Sequence, residues 1–94
     1  MATVRVPAPM RDAVGGLDAV EVEGATVGAA LHDLARRYPR VRERLFRPDG
    51  TVQPHLMVVV DGTEAEGVFT PVAPGSEIII IPAIGGGRPG RDGP

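Results

Sequence analysis

Residues 74–87 constrain this chain more than any other stretch: Pro74-Gly75-Ser76-Glu77-Ile78-Ile79-Ile80-Ile81-Pro82-Ala83-Ile84-Gly85-Gly86-Gly87. Four consecutive isoleucines lose side-chain freedom in a helix and pack well on a pleated sheet, so they predict a buried strand. A Pro-Gly turn leads in. Pro82 has no N–H to give a neighbouring strand, so pairing is expected to end there. The three glycines beyond it have no Cβ and can pass through a channel that admits no larger residue. A rigid strand ending in a thin thread is the shape that everything else in the chain must accommodate.

Two alternating segments precede it. In Thr3-Val4-Arg5-Val6-Pro7, Val4 and Val6 face a core; in Ala19-Val20-Glu21-Val22-Glu23, Val20 and Val22 do. Pro9 to Leu17, with Gly15-Gly16, reads as the loop of a hairpin between them. After Gly24 the period changes. Thr26 suits a helix N-cap, and Val27, Leu31, Leu34 and Tyr38 recur at helical spacing with Ala30 and Ala35 on the same face. Arg36 and Arg37 favour the helix C-terminus, and Tyr38 before Pro39 stops it. Val41, Leu45 and Phe46 predict one further helical turn. Pro48-Asp49-Gly50 marks a loop, His55 to Val60 a strand, and Asp61-Gly62 a tight turn. Glu64 to Ala73 reads as irregular, with Val68 and Phe69 as a short edge strand. The order β-β-α-turn-β-β with the last strand central matches the β-grasp, or ubiquitin-like, kind of α+β fold, and that fold is expected, although pattern alone leaves other small α+β folds open. A mixed sheet of four to five strands would pack on one main helix over residues 1–84, leaving residues 85–94 as a flexible glycine-rich tail.

At 94 residues there is room for one domain, which buries roughly 60–65% of its chain surface. Without cysteine the chain can hold no disulfide, zinc knuckle or thiol nucleophile. Met1-Ala2-Thr3 runs straight into strand-like sequence, and no apolar run has membrane length, so a cytoplasmic location is expected. The net charge of −2 argues against nucleic acid as a partner. All ten basic residues are arginine. That reads first as compositional bias in a chain rich in Ala, Gly, Pro and Arg; the functional alternative is a carrier with no lysine on which to be self-conjugated. The arginine-dense run from Arg36 to Arg47, broken by Glu43, reads as a solvated face.

Catalysis by the chain alone is not indicated. Ser76 is the sole serine, and neither His32 nor His55 stands at a spacing that suggests a triad. Two isolated histidines do not make a metal centre. Glu64 and Glu66 read as solvated loop residues. The triple glycine is not a phosphate loop, because no helix start, Lys or Ser/Thr follows it. One physical oddity points elsewhere. Leu56 to Val60 and Ile78 to Ile81 are apolar on both faces, although a single helix covers only one face of a sheet. Half of those side chains then lack a partner within the chain, and an uncovered apolar patch of that sort marks a protein interface.

Thr26-Val27-Gly28 opening the helix with Leu31 and Leu34, Val58-Val59-Val60-Asp61-Gly62, Gly75-Ser76-Glu77, and Ile81-Pro82-Ala83-Ile84 ahead of the glycines together resemble the ThiS/MoaD sulfur-carrier family, most closely its CysO-type branch. The resemblance covers residues 2 to 87. It implies a protein cosubstrate rather than an enzyme, with no cofactor bound by the chain itself. An E1-like adenylyltransferase/sulfurtransferase would use MgATP to adenylate the terminal glycine carboxylate, and a sulfur donor would convert it to a thiocarboxylate. A sulfur-acceptor synthase would then use that sulfur in making cysteine or a sulfur-containing metabolite. The resemblance puts the reacting carboxylate at the Gly86-Gly87 pair, with Gly85 and Ile84 threading into the partner and Ile81 on the docking face. Met57, Val59 and Ile79 would share that face, while Val58, Val60, Ile78 and Ile80 face the helix. Seven residues, Arg88 to Pro94, follow Gly87 where such carriers usually stop. They carry no apolar anchor and are expected to be disordered. This departure predicts a precursor that a JAMM-type metalloprotease would clip after Gly87. Two other classes stay open: a ubiquitin-like modifier conjugated through the glycine, and a plain interaction module.

Overall fold

The computed structural model describes residues 1–82. Five strands form one mixed sheet: β1 (Ala2–Arg5), β2 (Ala19–Val22), β3 (Leu56–Val60), β4 (Thr63–Glu64) and β5 (Glu77–Pro82). Their spatial order is β2-β1-β5-β3-β4. The isoleucine strand β5 lies at the centre, parallel to β1 and antiparallel to β3. The fold is the α+β, ubiquitin-like one that the sequence predicts, with the full five strands.

Helix α1 (Val27–Arg37) crosses one face of the sheet. Thr26 Oγ1 accepts from Ala29 N at 3.1 Å and so satisfies one of the free donors of the first turn. Two more are met from outside the helix: Val27 N donates to Thr70 O and Gly28 N to Val68 O. Helical geometry ends at Arg37, one residue before the Tyr38-Pro39 step, as expected. A 3-10 turn (Pro39–Val41) and the four-residue helix α2 (Arg42–Leu45) then bring Val41 and Leu45 into the core. The core joins Val4, Val22, Leu31, Leu34, Val41, Leu45, Ile78 and Ile80, all at most 2% exposed.

Two expectations are corrected. The segment expected as a plain loop between β1 and β2 contains a 3-10 helix (Ala8–Val14) that buries Met10, Ala13 and Val14. It closes on Gly15 in a left-handed conformation. Arg44 holds it to α2, donating from two guanidinium nitrogens to the Asp12 carboxylate at 2.8 and 2.9 Å and also to Pro9 O. The edge strand is not Val68-Phe69 but Thr63–Glu64. Residues 66–70 instead turn around Thr70, whose Oγ1 accepts from Glu66 N and Gly67 N. The carbonyls of Val68 and Thr70 accept from the first turn of α1, the latter within an isolated antiparallel bridge between Thr26 and Pro71.

Asp61 and Gly62, both with positive φ (49° and 87°), form the two-residue turn between β3 and β4. The aspartate does more than turn the chain. Its carboxylate accepts from Glu77 N at 2.9 Å and from Ser76 Oγ at 2.7 Å, fastening this turn to the start of β5. Those donors hold its pKa below the ordinary carboxylate value.

Asp33 performs a comparable task on α1. It accepts from Glu23 N at 2.8 Å, from Arg37 Nε at 2.8 Å and from Arg36 Nη2 at 2.6 Å, joining the helix to the end of β2. The Glu23 N–H first, and then the two guanidinium groups, hold its pKa far below the usual carboxylate value of 3.8. A depressed carboxylate contributes stability that is present above the unfolded-state pKa and is lost as pH falls through the folded one. Asp33→Asn is therefore expected to flatten the fall in denaturation midpoint between about pH 4 and pH 2, leaving the residual slope of Asp12, Asp49 and Asp61. An unchanged pH profile would remove Asp33 from this role.

Candidate functional site

The sheet face away from α1 carries the predicted patch. β3 and β5 pair so that Met57 stands opposite Ile81 and Val59 opposite Ile79, two adjacent cross-strand pairs on one surface. The alternation is as expected: Val58, Ile78 and Ile80 are buried against α1, and Val60 packs on the same cluster. Met57 and Ile81 are 43% and 42% exposed, whereas Val59 and Ile79 are half-buried. An apolar pair left this open beside the last described residue of β5 needs a reason beyond folding. Charges border it on both flanks. Arg5, paired in register with Ile79, bridges to Glu77 at 3.2 Å, and Glu64 is paired in register with Val59.

A depression of about 300 Å³ adjoins the patch, lying between the sheet edge, the start of α1 and residues 64–68. Val27, Leu56, Val58 and Val68 supply apolar wall; Glu64 and Glu66 stand at it as carboxylates. A second, shallower depression of about 260 Å³ shares Pro54, Leu56, Met57 and Glu64 with the first and extends to Ile81 and Pro82. Met57 therefore belongs to both the sheet face and the groove. Sequence patterning missed this feature, because its walls come from four separated segments.

Ser76 is buried, its hydroxyl donating to Asp61 and accepting from Ala73 N. His32 is exposed and stacks on Phe46 with ring centroids 4.4 Å apart. His55 is exposed in the turn before β3. Among the described residues no three His, Cys, Asp or Glu gather as a metal site, and no helix is long and apolar enough to cross a membrane. Gly85, Gly86, Gly87 and Ile84, the expected thread and reacting end, lie outside the described residues, as does the tail beyond them.

A central β5 parallel to β1, a helix across one face and an open apolar patch on the other define a ubiquitin-like protein of the β-grasp class. The profile of the ThiS family matches residues 4–87, and the chain belongs to that family of ubiquitin-like sulfur carriers. It is 33% identical to the sulfur carrier protein CysO of Mycobacterium tuberculosis over 90 residues, spanning 90% of this chain and 97% of that protein. It is 38% identical to small archaeal modifier protein 1 of Haloferax volcanii over 69 residues, 72% of this chain and 78% of that one. Among solved structures, a chain of the Amycolatopsis orientalis BexX/CysO complex superposes with a TM-score of 0.84 at 29% identity. The superposition covers 93% of this chain and all of that one.

Proposed function

We propose that this protein carries sulfur as a C-terminal glycine thiocarboxylate and is acted on by partner enzymes rather than catalysing a step itself. One observation carries the reading: the family match runs to Gly87, the last of three glycines and five residues beyond the end of β5. A carboxylate is a poor electrophile at neutral pH. In the proposed first step the Gly87 carboxylate attacks the α-phosphorus of MgATP bound to an E1-like partner, and pyrophosphate leaves. A hydrosulfide-level donor then displaces AMP from the acyl-adenylate, forming the C–S bond of the thiocarboxylate. Its sulfur is a soft nucleophile for an acceptor synthase, whose substrate is an activated serine derivative giving cysteine or an intermediate of another sulfur metabolite. The domain's role is to present this group. Met57, Val59, Ile79 and Ile81 dock on the activating enzyme while Ile84 and Gly85 thread Gly86 and Gly87 towards its nucleotide.

The chain that continues through Arg88 to Pro94 buries the reacting carboxylate in a peptide bond, so in this reading cleavage after Gly87 by a JAMM-type metalloprotease comes first. The test is ATP-dependent pyrophosphate release by the E1-like enzyme from the same cells. A chain ending at Gly87 should support it and the full chain should not. Met57→Arg in the shorter chain should weaken it about tenfold or more, as for a central apolar anchor of an interface. Equal release from both lengths would sink the precursor step, and an indifferent Met57→Arg would sink the docking face.

The identity with small archaeal modifier protein 1 favours a second reading, in which the adenylated glycine forms an amide with a target lysine. High-mass adducts of this chain in a lysate would decide for it.

A further inference from the structure

The groove beside the sheet face is a feature that the sulfur-carrier reading leaves unused, and its composition is specific. About 300 Å³ is the bottom of the range for small-ligand pockets and fits one or two protein side chains better than a cofactor. Its floor is apolar, from Val27, Leu56 and Val58. Its outer wall, Val68, is 44% exposed. Glu64 and Glu66 line it, and neither has an ion-pair partner among the described residues. The walls are held in place by backbone bonds. Ala65 N donates to Val58 O at 2.8 Å, and Gly28 N donates to Val68 O at 2.8 Å.

The groove is also continuous with the proposed docking face. Met57 lines it, and the adjoining depression, which shares Pro54, Leu56, Met57 and Glu64 with it, extends to Ile81 and Pro82 at the end of β5. A partner docked on Met57 and Ile81 therefore reaches the groove's mouth. We infer that the adenylating partner wraps around the β4 edge and inserts an apolar side chain between Leu56 and Val68, with an adjacent Arg or Lys pairing with Glu64 and Glu66. This rests on the sulfur-carrier reading and adds a second contact to it. The apolar insertion supplies affinity. The acidic rim supplies selectivity, because a partner with a carboxylate there would meet two like charges as it desolvates them.

The chain's own arginines beyond Gly87, Arg88 and Arg91, are a weaker occupant. Exposed ion pairs are individually weak, and the conformational entropy lost in ordering the intervening residues outweighs them.

The experiment titrates the full-length protein with the E1-like enzyme from its own cells and reads Kd by calorimetry for four variants. Val68→Arg and the pair Glu64→Lys/Glu66→Lys are each expected to raise Kd about tenfold, and the charge reversal should also reduce its salt dependence. Ile81→Arg, on the docking face and outside the groove lining, is the control for that face. All the residues substituted in these three variants are at the surface, and unchanged melting midpoints exclude a folding effect. If Ile81→Arg weakens binding while the groove variants do not, the inference fails and the docking face stands. If none of the three matters, the sulfur-carrier docking reading fails with it. In the fourth variant, Arg88→Glu/Arg91→Glu, a shift of the Glu64–Val68 amide resonances without any enzyme would assign the groove to the tail and overturn the inference.

Discussion

Gly87→Trp is expected to abolish thiocarboxylate formation while leaving the melting midpoint where it was. Every core residue among those described lies between Ala2 and Ile80, so no described core contact is altered. What it disturbs is delivery. In the proposed mechanism the reacting carboxylate reaches the α-phosphorus through a passage that excludes any Cβ, and an indole at the last position cannot follow. Misplacing reacting atoms by about 1 Å costs on the order of a hundredfold in rate, and blocking the passage costs more. Pyrophosphate release from a Gly87-terminated chain and its Gly87→Trp counterpart makes the comparison. Wild-type rates from the variant would mean that the glycines are only a linker, which is what a plain interaction module predicts.

Leu34→Ala is expected to destabilise the domain by about 2–5 kcal/mol. Leu34 sits on the inner face of α1 with no exposed surface, as do Leu31 and Ala35 beside it. Its removal leaves a cavity under α1, the only long helix among the described residues. A 94-residue domain has roughly 5–14 kcal/mol of stability to lose, so this single change threatens the fold at 37 °C. The denaturant midpoint should fall with little change of slope. A loss below about 1 kcal/mol would mean that the sheet, rather than the helix–sheet contact, holds the core.

Patterning exposed most of this fold because the long elements carry clean periods. Val4 and Val22 alternate, Val27, Leu31 and Leu34 recur at helical spacing, and Asp61-Gly62 is the turn it spells. The misreadings have identifiable causes. Met10, Ala13 and Val14 stand at i, i+3 and i+4, a helical signal hidden between Pro7-Pro9 and Gly15-Gly16, which read as loop punctuation. Val68 and Phe69 have strand propensity, but the carbonyls of Val68 and Thr70 on either side of Phe69 accept from the first turn of α1, a constraint visible only in three dimensions. The apolar docking pairs could be inferred from a sheet apolar on both faces. The groove could not, because Val27, Leu56, Glu66 and Val68 meet only once the edge strand and the 64–68 segment have folded over the helix start.

The most direct test of the sulfur-carrier account is the intact mass of the protein isolated from the cells that make it. The account predicts a species that ends at Gly87 with one carboxylate oxygen replaced by sulfur. A mass that stays at full length, even with the E1-like enzyme and the metalloprotease co-expressed and ATP and sulfide supplied, would contradict it.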